Sequence, residues 1–328
     1  MPDAPPYQSL TPECILDAIE TCGYRCDGRL STLNSYENRV YQIGLDDGGS
    51  IVSKFYRPGR WSDEAIGEEH AFALELAARE IPVVAPIAVA GRTLHGHAGF
   101  RFALYPRRGG RSPELEDSEV LRRLGRFIGR IHAIGAGAPF RHRPALDIES
   151  FGFEPSRFVL EQGFVPEDLR ATYRSVVDDV LERVQRCFER AGDWRPIRLH
   201  GDCHAGNILW TDDGPHFVDL DDARTGPAVQ DLWMCLAGDR SETETQFAAL
   251  GAGYCEFMDF NPAELWLVEA LRTLRLTHYA GWLARRWDDP AFPASFPFFN
   301  TQRYWQDHIL ALREQAAVLD EAPLQYAA

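Results

Sequence analysis

Lysine is almost missing from this sequence. Of its 34 Lys and Arg residues only Lys54 is a lysine, and the other 33 are arginines. Biased genome composition accounts for the arginines but not for the exception. An ammonium is a compact point charge on a flexible stem and a guanidinium is a wide planar fork, so a site that needs the first resists the second. Positive charge as a whole is short as well. The formal net charge of −15 argues against a general nucleic-acid or anionic-membrane surface, since either needs a basic footprint. No run approaches the roughly 20 apolar residues of a membrane span. The start, MPDAPPYQSL, lacks the basic and apolar stretches of a signal peptide, so a cytoplasmic protein is expected. Seven cysteines, an odd number with no CxxC pair, suggest neither a disulfide framework nor a paired zinc knuckle.

What is there falls into two parts. TPECILDAIETC, with Thr11 before Pro12, reads as a short capped helix. NRVYQIGL and SIVSKFYRP read as a hairpin around DDGG, with Lys54 on its second strand. From Ser62 a capped helix carries Ile66, Glu69, Phe72 and Leu76 along one stripe. IPVVAPIAV and FRFALYP read as two further strands, with PRRGGRSPE as a connector. Helical spacing then dominates, over Val120–Ile131, Val176–Phe188, 229–237, 242–258 and 262–287. The expected organisation is a small α+β part, residues 1–107, and a larger, mainly helical part, residues 108–328.

Two acidic stretches carry chemistry, RLHGDCHAGNILW from Arg198 and VDLDDARTGP from Val218. Gly201 and Gly206 disfavour a regular helix, so His200 and His204 need not share a face. A zinc site from His200, Cys203 and His204 is one alternative, although its spacing matches no common ligand pattern. A loop held by backbone hydrogen bonds is another. The favoured reading is a nucleotide triphosphate with Mg²⁺, which takes one or two hard protein oxygens and completes its shell with phosphate and water. Asn207 and Asp219 supply such oxygens, and Asp202 remains to accept the proton of an attacking hydroxyl, in the spacing of the kinase pattern HRDxxxxN. Lys54 would hold the nonreacting phosphates, itself held by a helix carboxylate. Glu69 is preferred over adjacent Glu68 because it lies on the buried stripe. Asp221 and Asp222 are extra carboxylates, read either as an exposed solvated pair or as reaching a second ion or a substrate cation.

Together, LNSYENRVYQ, VSKFYRP, HGDxHxGN and DLDD make the chain resemble the aminoglycoside phosphotransferase-like branch of the protein-kinase-like superfamily. The longer segments NSYENRVYQ, RLHGDCHAGNILW, FVDLDDARTGPAVQDLWM and RRWDDPAFP are similar to its bacterial Ser/Thr protein kinases, across residues 34–293. The resemblance implies a bilobal α+β protein-kinase-like fold with a β-rich N-lobe containing one key helix and a helical C-lobe. It further implies Asp202 and Asp219 as catalytic residues, Asn207 and Asp219 as Mg²⁺ ligands, and Ser35, Lys54 and Glu69 at the ATP phosphates. Asp231 would buttress the catalytic loop, its alternative being a carboxylate favoured by a helix N-terminus. The expected partners are ATP and protein substrates bearing Ser or Thr, for a monomeric enzyme in a stress response. Small-molecule kinases of amino-alcohols, sugars or aminoglycosides are the rival, and a nucleotide-binding regulator without transfer activity is a third reading. There is no GxGxxG loop, no DFG and no APE-bounded segment, so switching by activation-loop phosphorylation is not expected.

Overall fold

Thr11 caps the first helix, α1 (Pro12–Glu20), by accepting the Cys14 N–H. Pro12 costs nothing there, because the first helical N–H has no intrahelical partner. This computed structural model describes residues 5–326, and they pack as two compact units. The first unit is assembled from Met1–Glu114, Phe140–Pro144 and Asp202–Ala223.

Its centre is an antiparallel sheet of β1 (Cys26–Leu33), β2 (Arg39–Leu45), β3 (Ser50–Phe55), β4 (His95–His97) and β5 (Phe100–Pro106), ordered β1-β2-β3-β5-β4. Strand alternation puts Ile51 and Phe55 of β3 on one face, where they pack with Ile15 and Ile19 of α1 and with Phe100 and Phe102. Lys54 takes the other face, opposite Val40 on one side and Ala103 on the other. β1 was not expected from sequence. Six of its eight residues are exposed, so it carries no apolar alternation to read. IPVVAPIAV, expected as a strand, contributes no strand to the sheet order. Pro82 and Pro86 each remove a ladder donor. The stretch meets residue 217, with Val84 N–H donating to the Phe217 carbonyl and Phe217 N–H to that of Pro82, and it touches β5 where Ile87 N–H donates to the Leu104 carbonyl at 2.7 Å.

The second helix of this unit, α2 (Asp63–Ala78), starts where Ser62 accepts the Ala65 N–H. Ile66, Glu69, Phe72 and Leu76 are all buried along it. A glutamate in an apolar stripe needs a partner. The last part of the unit is a hairpin, Ile208–Thr211 against Gly214–Phe217, in register Ile208↔Phe217.

The second unit, Leu115–Pro139, Ala145–Gly201 and Arg224–Ala328, is mostly helical. It contains α3 (Ser118–Gly135), α4 (Glu154–Glu161), α5 (Glu167–Ala191), α6 (Val229–Trp233), α7 (Arg240–Tyr254), α8 (Leu267–Ala284), α9 (Ala291–Ser295) and α10 (Gln302–Val318). α7 begins two residues before its expected start because Asp239 and Glu242 form a capping box. α3 and α7 approach so closely that a Cβ on Gly125 would overlap the Leu250 carbonyl oxygen, and one on Gly253 that of Arg122. That contact sets His132 of α3 beside Tyr254 of α7. Among the described residues no helix is long and apolar enough to cross a membrane.

Candidate active site

The hairpin does the first positioning. Its ladder continues one step beyond the strands, Val218 N–H donating to the Asn207 carbonyl at 3.0 Å. Asn207 and Asp219 thus flank the open end of one two-stranded ribbon, despite lying 12 positions apart in sequence. Between Asp202 and the ribbon the chain makes a tight turn and a short 3-10 helix, Ala205–Asn207, with Gly206 N–H donating to His204 Nδ1. Asn207 Nδ2 donates to the Asp202 carbonyl at 2.9 Å and to Asp202 Oδ2 at 3.3 Å. His204 Nε2 stands 3.4 Å from that same oxygen. Since Nδ1 of His204 accepts, the ring proton belongs on Nε2, toward the Asp202 carboxylate.

Asp219 has φ +59 and ψ 67, the left-handed region, a conformation that costs a non-glycine residue on the order of 1 kcal/mol or more. Its side chain is half-exposed, and Oδ1 accepts from Lys54 Nζ at 2.9 Å. Lys54 is itself buried, 5% exposed. Two further carboxylates surround it, Asp221 Oδ1 at 3.1 Å and Glu69 Oε1 at 3.6 Å. Burial opposes the ammonium charge, but Asp219, Asp221 and Glu69 outweigh it and raise the lysine pKa well above its usual value. Glu69 goes the other way: burial pushes its carboxyl up to about 7, because Lys54 sits nearer the two aspartates. Behind the lysine, the Tyr56 ring lies 5.1 Å from Nζ and its hydroxyl is bonded to His70 Nε2 at 2.7 Å.

The carboxylate beside Glu69 faces elsewhere. Glu68 accepts the backbone N–H groups of Arg141, His142 and Arg143 at 2.7, 2.7 and 3.0 Å. The reading of Asp221 and Asp222 as an exposed solvated pair is corrected by the structure. Asp221 is 3% exposed. Arg60 donates from Nη1 to Asp221 at 2.5 Å and from Nη2 to Asp222 at 2.8 Å. Burial alone would raise the Asp221 carboxyl, yet Arg60 and Lys54 hold it down at about 2. Sequence reading missed Arg60 and Arg143, each one arginine among 33. Arg224, two residues beyond Asp222, is the cation nearest these aspartates in sequence, and nothing local pointed to the two distant ones.

Ser35 lies half-buried in the β1–β2 loop. That loop has no glycine and is fixed by side chains instead. Asn38 Oδ1 accepts the Arg57 N–H at 3.1 Å, and buried Glu37 stands 3.7 Å from both Arg57 and Arg60.

In the second unit, buried Asp231 ties down the residues preceding Asp202. Its Oδ2 accepts the His200 N–H and its Oδ1 the Gly201 N–H, each at 2.8 Å. Gly201, at φ +84, adopts a turn that disfavours any side chain. His132 Nε2 donates to Asp231 at 2.9 Å, so its Nδ1 accepts from the Tyr254 hydroxyl at 3.0 Å. Asp231 therefore sits both in the first turn of α6 and under the loop. His200 and Cys203 are buried, and among the described residues no group of three or more His, Cys, Asp or Glu could hold a metal ion. Asn207 donates through Nδ2 and Asp219 accepts through Oδ1, while Asn207 Oδ1 and Asp219 Oδ2 are hard oxygens of the same side chains. Two such ligands fit a Mg²⁺ ion that brings phosphate and water with it.

Residues 29–267 match the phosphotransferase enzyme family. The chain is 46% identical to the stress response kinase A of Salmonella choleraesuis (strain SC-B67), over 97% of this chain and 96% of that protein. The identity and coverage are the same for a serine/threonine protein kinase RdoA of Salmonella typhimurium. Among solved structures, an amicoumacin kinase in complex with AMP-PNP, Ca²⁺ and Ami shares the fold, with a TM-score of 0.68 at 19% identity over 92% of this chain and 91% of that one.

Proposed function

Because the chain belongs to the phosphotransferase enzyme family, we propose that it is a Mg²⁺-dependent protein kinase that transfers the γ-phosphoryl group of ATP to Ser and Thr hydroxyls. The observation that carries the protein substrate is the near full-length identity of 46% to a relative named for that activity. The name stress response kinase, borne by similar relatives, supports a role in stress.

On this reading residues 1–107 anchor the nucleotide and residues 108–328 supply the groups for catalysis and substrate. Asp202 orients the acceptor hydroxyl and takes its proton as the oxygen attacks the γ-phosphorus. The bond to the bridging oxygen breaks and ADP leaves. Asn207 Nδ2 and His204 constrain the Asp202 carboxylate from one side, which favours an approach from the other. Bound Mg²⁺, held by Asn207 and Asp219, would neutralise charge developing on the phosphates. Lys54 carries its charge to the nonreacting phosphates, with Glu69 left as its carboxylate anchor. Ser35 and backbone N–H groups of the β1–β2 loop cover the phosphates in place of a glycine-rich cradle.

Radiolabelled phosphate from ATP should appear on casein, or on the protein itself, and on no member of a panel of amino-alcohols and aminoglycosides. The opposite pattern supports the second reading, a small-molecule kinase, which is favoured by the likeness of fold to the amicoumacin kinase.

A further inference from the structure

The left-handed conformation of Asp219 raises the question of what holds it beyond the short 3-10 turn that it caps, Leu220–Asp222. Upstream, Val218 is tied to Asn207. Downstream, the restraint comes from two arginines distant in sequence. Arg143, 5% exposed, donates from Nε to the Ala223 carbonyl at 2.8 Å and from Nη2 to the Asp221 carbonyl. Arg60 grips the side chains of the same stretch, Asp221 and Asp222. Both guanidiniums lie over the Trp61 ring, at 5.1 Å for Arg60 and 4.2 Å for Arg143. Arg143 in turn is set by Glu68, which takes its N–H along with those of Arg141 and His142.

We infer that Glu68 and Arg143 form a clamp that positions Asp219 for its metal. α2 thus uses two adjacent carboxylates for two tasks. Glu69 meets the lysine, and Glu68 holds segment 140–144, whose arginine fixes the carbonyls that follow Asp219. Arg143 touches neither substrate nor metal in this scheme and acts only through the loop. A fork is required, because a single ammonium cannot span two carbonyls two residues apart as Nε and Nη2 do. The inference rests on the assignment of Asp219 as a metal ligand.

The test measures Mn²⁺ binding by the loss of its free EPR signal, on the full chain with a nonhydrolysable ATP analogue. R143K and E68Q are each expected to bind Mn²⁺ about 10-fold more weakly, the usual scale for groups that orient a metal ligand, with metal-free analogue affinity within roughly twofold of wild type. The double variant should be no worse than R143K alone, because both act through one segment. Unchanged Mn²⁺ affinity in R143K, or additive losses, overturns the clamp. Should R143K not fold, E68Q carries the test, since Glu68 is partly exposed. D219N separates the two levels. If it binds Mn²⁺ like wild type, the metal assignment itself fails. If it loses Mn²⁺ while R143K and E68Q keep it, only the clamp fails.

Discussion

Asp231→Asn replaces one oxygen of a carboxylate that accepts three hydrogen bonds, from His200 N–H, Gly201 N–H and His132 Nε2. An amide offers one acceptor oxygen and an NH₂ that only donates. If the new NH₂ takes the place of Oδ1 it faces the Gly201 N–H. If it takes the place of Oδ2 it faces the His200 N–H. The histidine side can adapt, since His132 can shift its proton to Nδ1 and Tyr254 can accept it. One buried backbone donor is orphaned in either orientation. An orphaned donor costs about 1–3 kcal/mol, and the surviving bonds lose their charge assistance, so about 2–4 kcal/mol of unfolding free energy should be lost at pH 7. The carboxylate lies below its usual range because its hydrogen bonds and His132 outweigh burial. Its contribution is therefore full above roughly pH 4 and fades as pH falls further, so the deficit of the variant should narrow in acid. Urea unfolding at pH 7 and pH 3.5 measures both quantities. Gly201 is bonded to Asp202, so turnover should also fall, by about 10²-fold for a displacement near 1 Å. A variant within about 0.5 kcal/mol of wild type at pH 7 would refute the reasoning, because no arrangement of the amide satisfies all three donors.

Asp202→Ala should lower turnover by roughly 10²-fold or more while leaving ATP binding nearly intact, as measured by steady-state kinetics beside calorimetry; wild-type turnover would remove Asp202 from the base role. Lys54→Arg keeps the charge but sets a planar fork among three carboxylates packed around one nitrogen, so activity should drop, and a wild-type rate would make the lone lysine an accident. Glu264 accepts the Val229 N–H while burial lifts its carboxyl from 4.5 to about 7. The folded protein thus binds that proton more tightly, and stability should decline as pH rises from about 4.5 through 7, by about 3 kcal/mol from this group. Glu264→Gln keeps an acceptor without the charge, so its melting temperature should fall less between pH 5 and 8, and parallel slopes for the two proteins would contradict this.

The placement of the candidate site residues was legible wherever local pattern and chemistry coincided. The stripe Ile66, Glu69, Phe72 and Leu76 located the inward carboxylate of α2, and one lysine among arginines pointed to the charge cluster around it. Asn207 and Asp219 were readable as the two ends of a hairpin because turn and strand signals between them are local. What escaped was long-range. Arg60 lies 161 positions from Asp221, and Arg143 lies 78 from it, so no window of sequence brings them together. Glu68 was weighed only against the lysine, because its real partners are backbone groups, which have no residue-type signature. β1 was hidden by its exposure. The apolar run IPVVAPIAV misled because its prolines weigh more than its β-branched residues.

Trp61 gives the clamp an optical handle. Two guanidiniums close to one indole perturb its excited state, and their loosening would alter the intensity and wavelength of its emission. A difference spectrum between wild type and Trp61→Phe isolates that indole from the other tryptophans of the chain. Followed during rapid mixing with nucleotide and metal, it would report when the loop after Asp219 tightens, without any attached label.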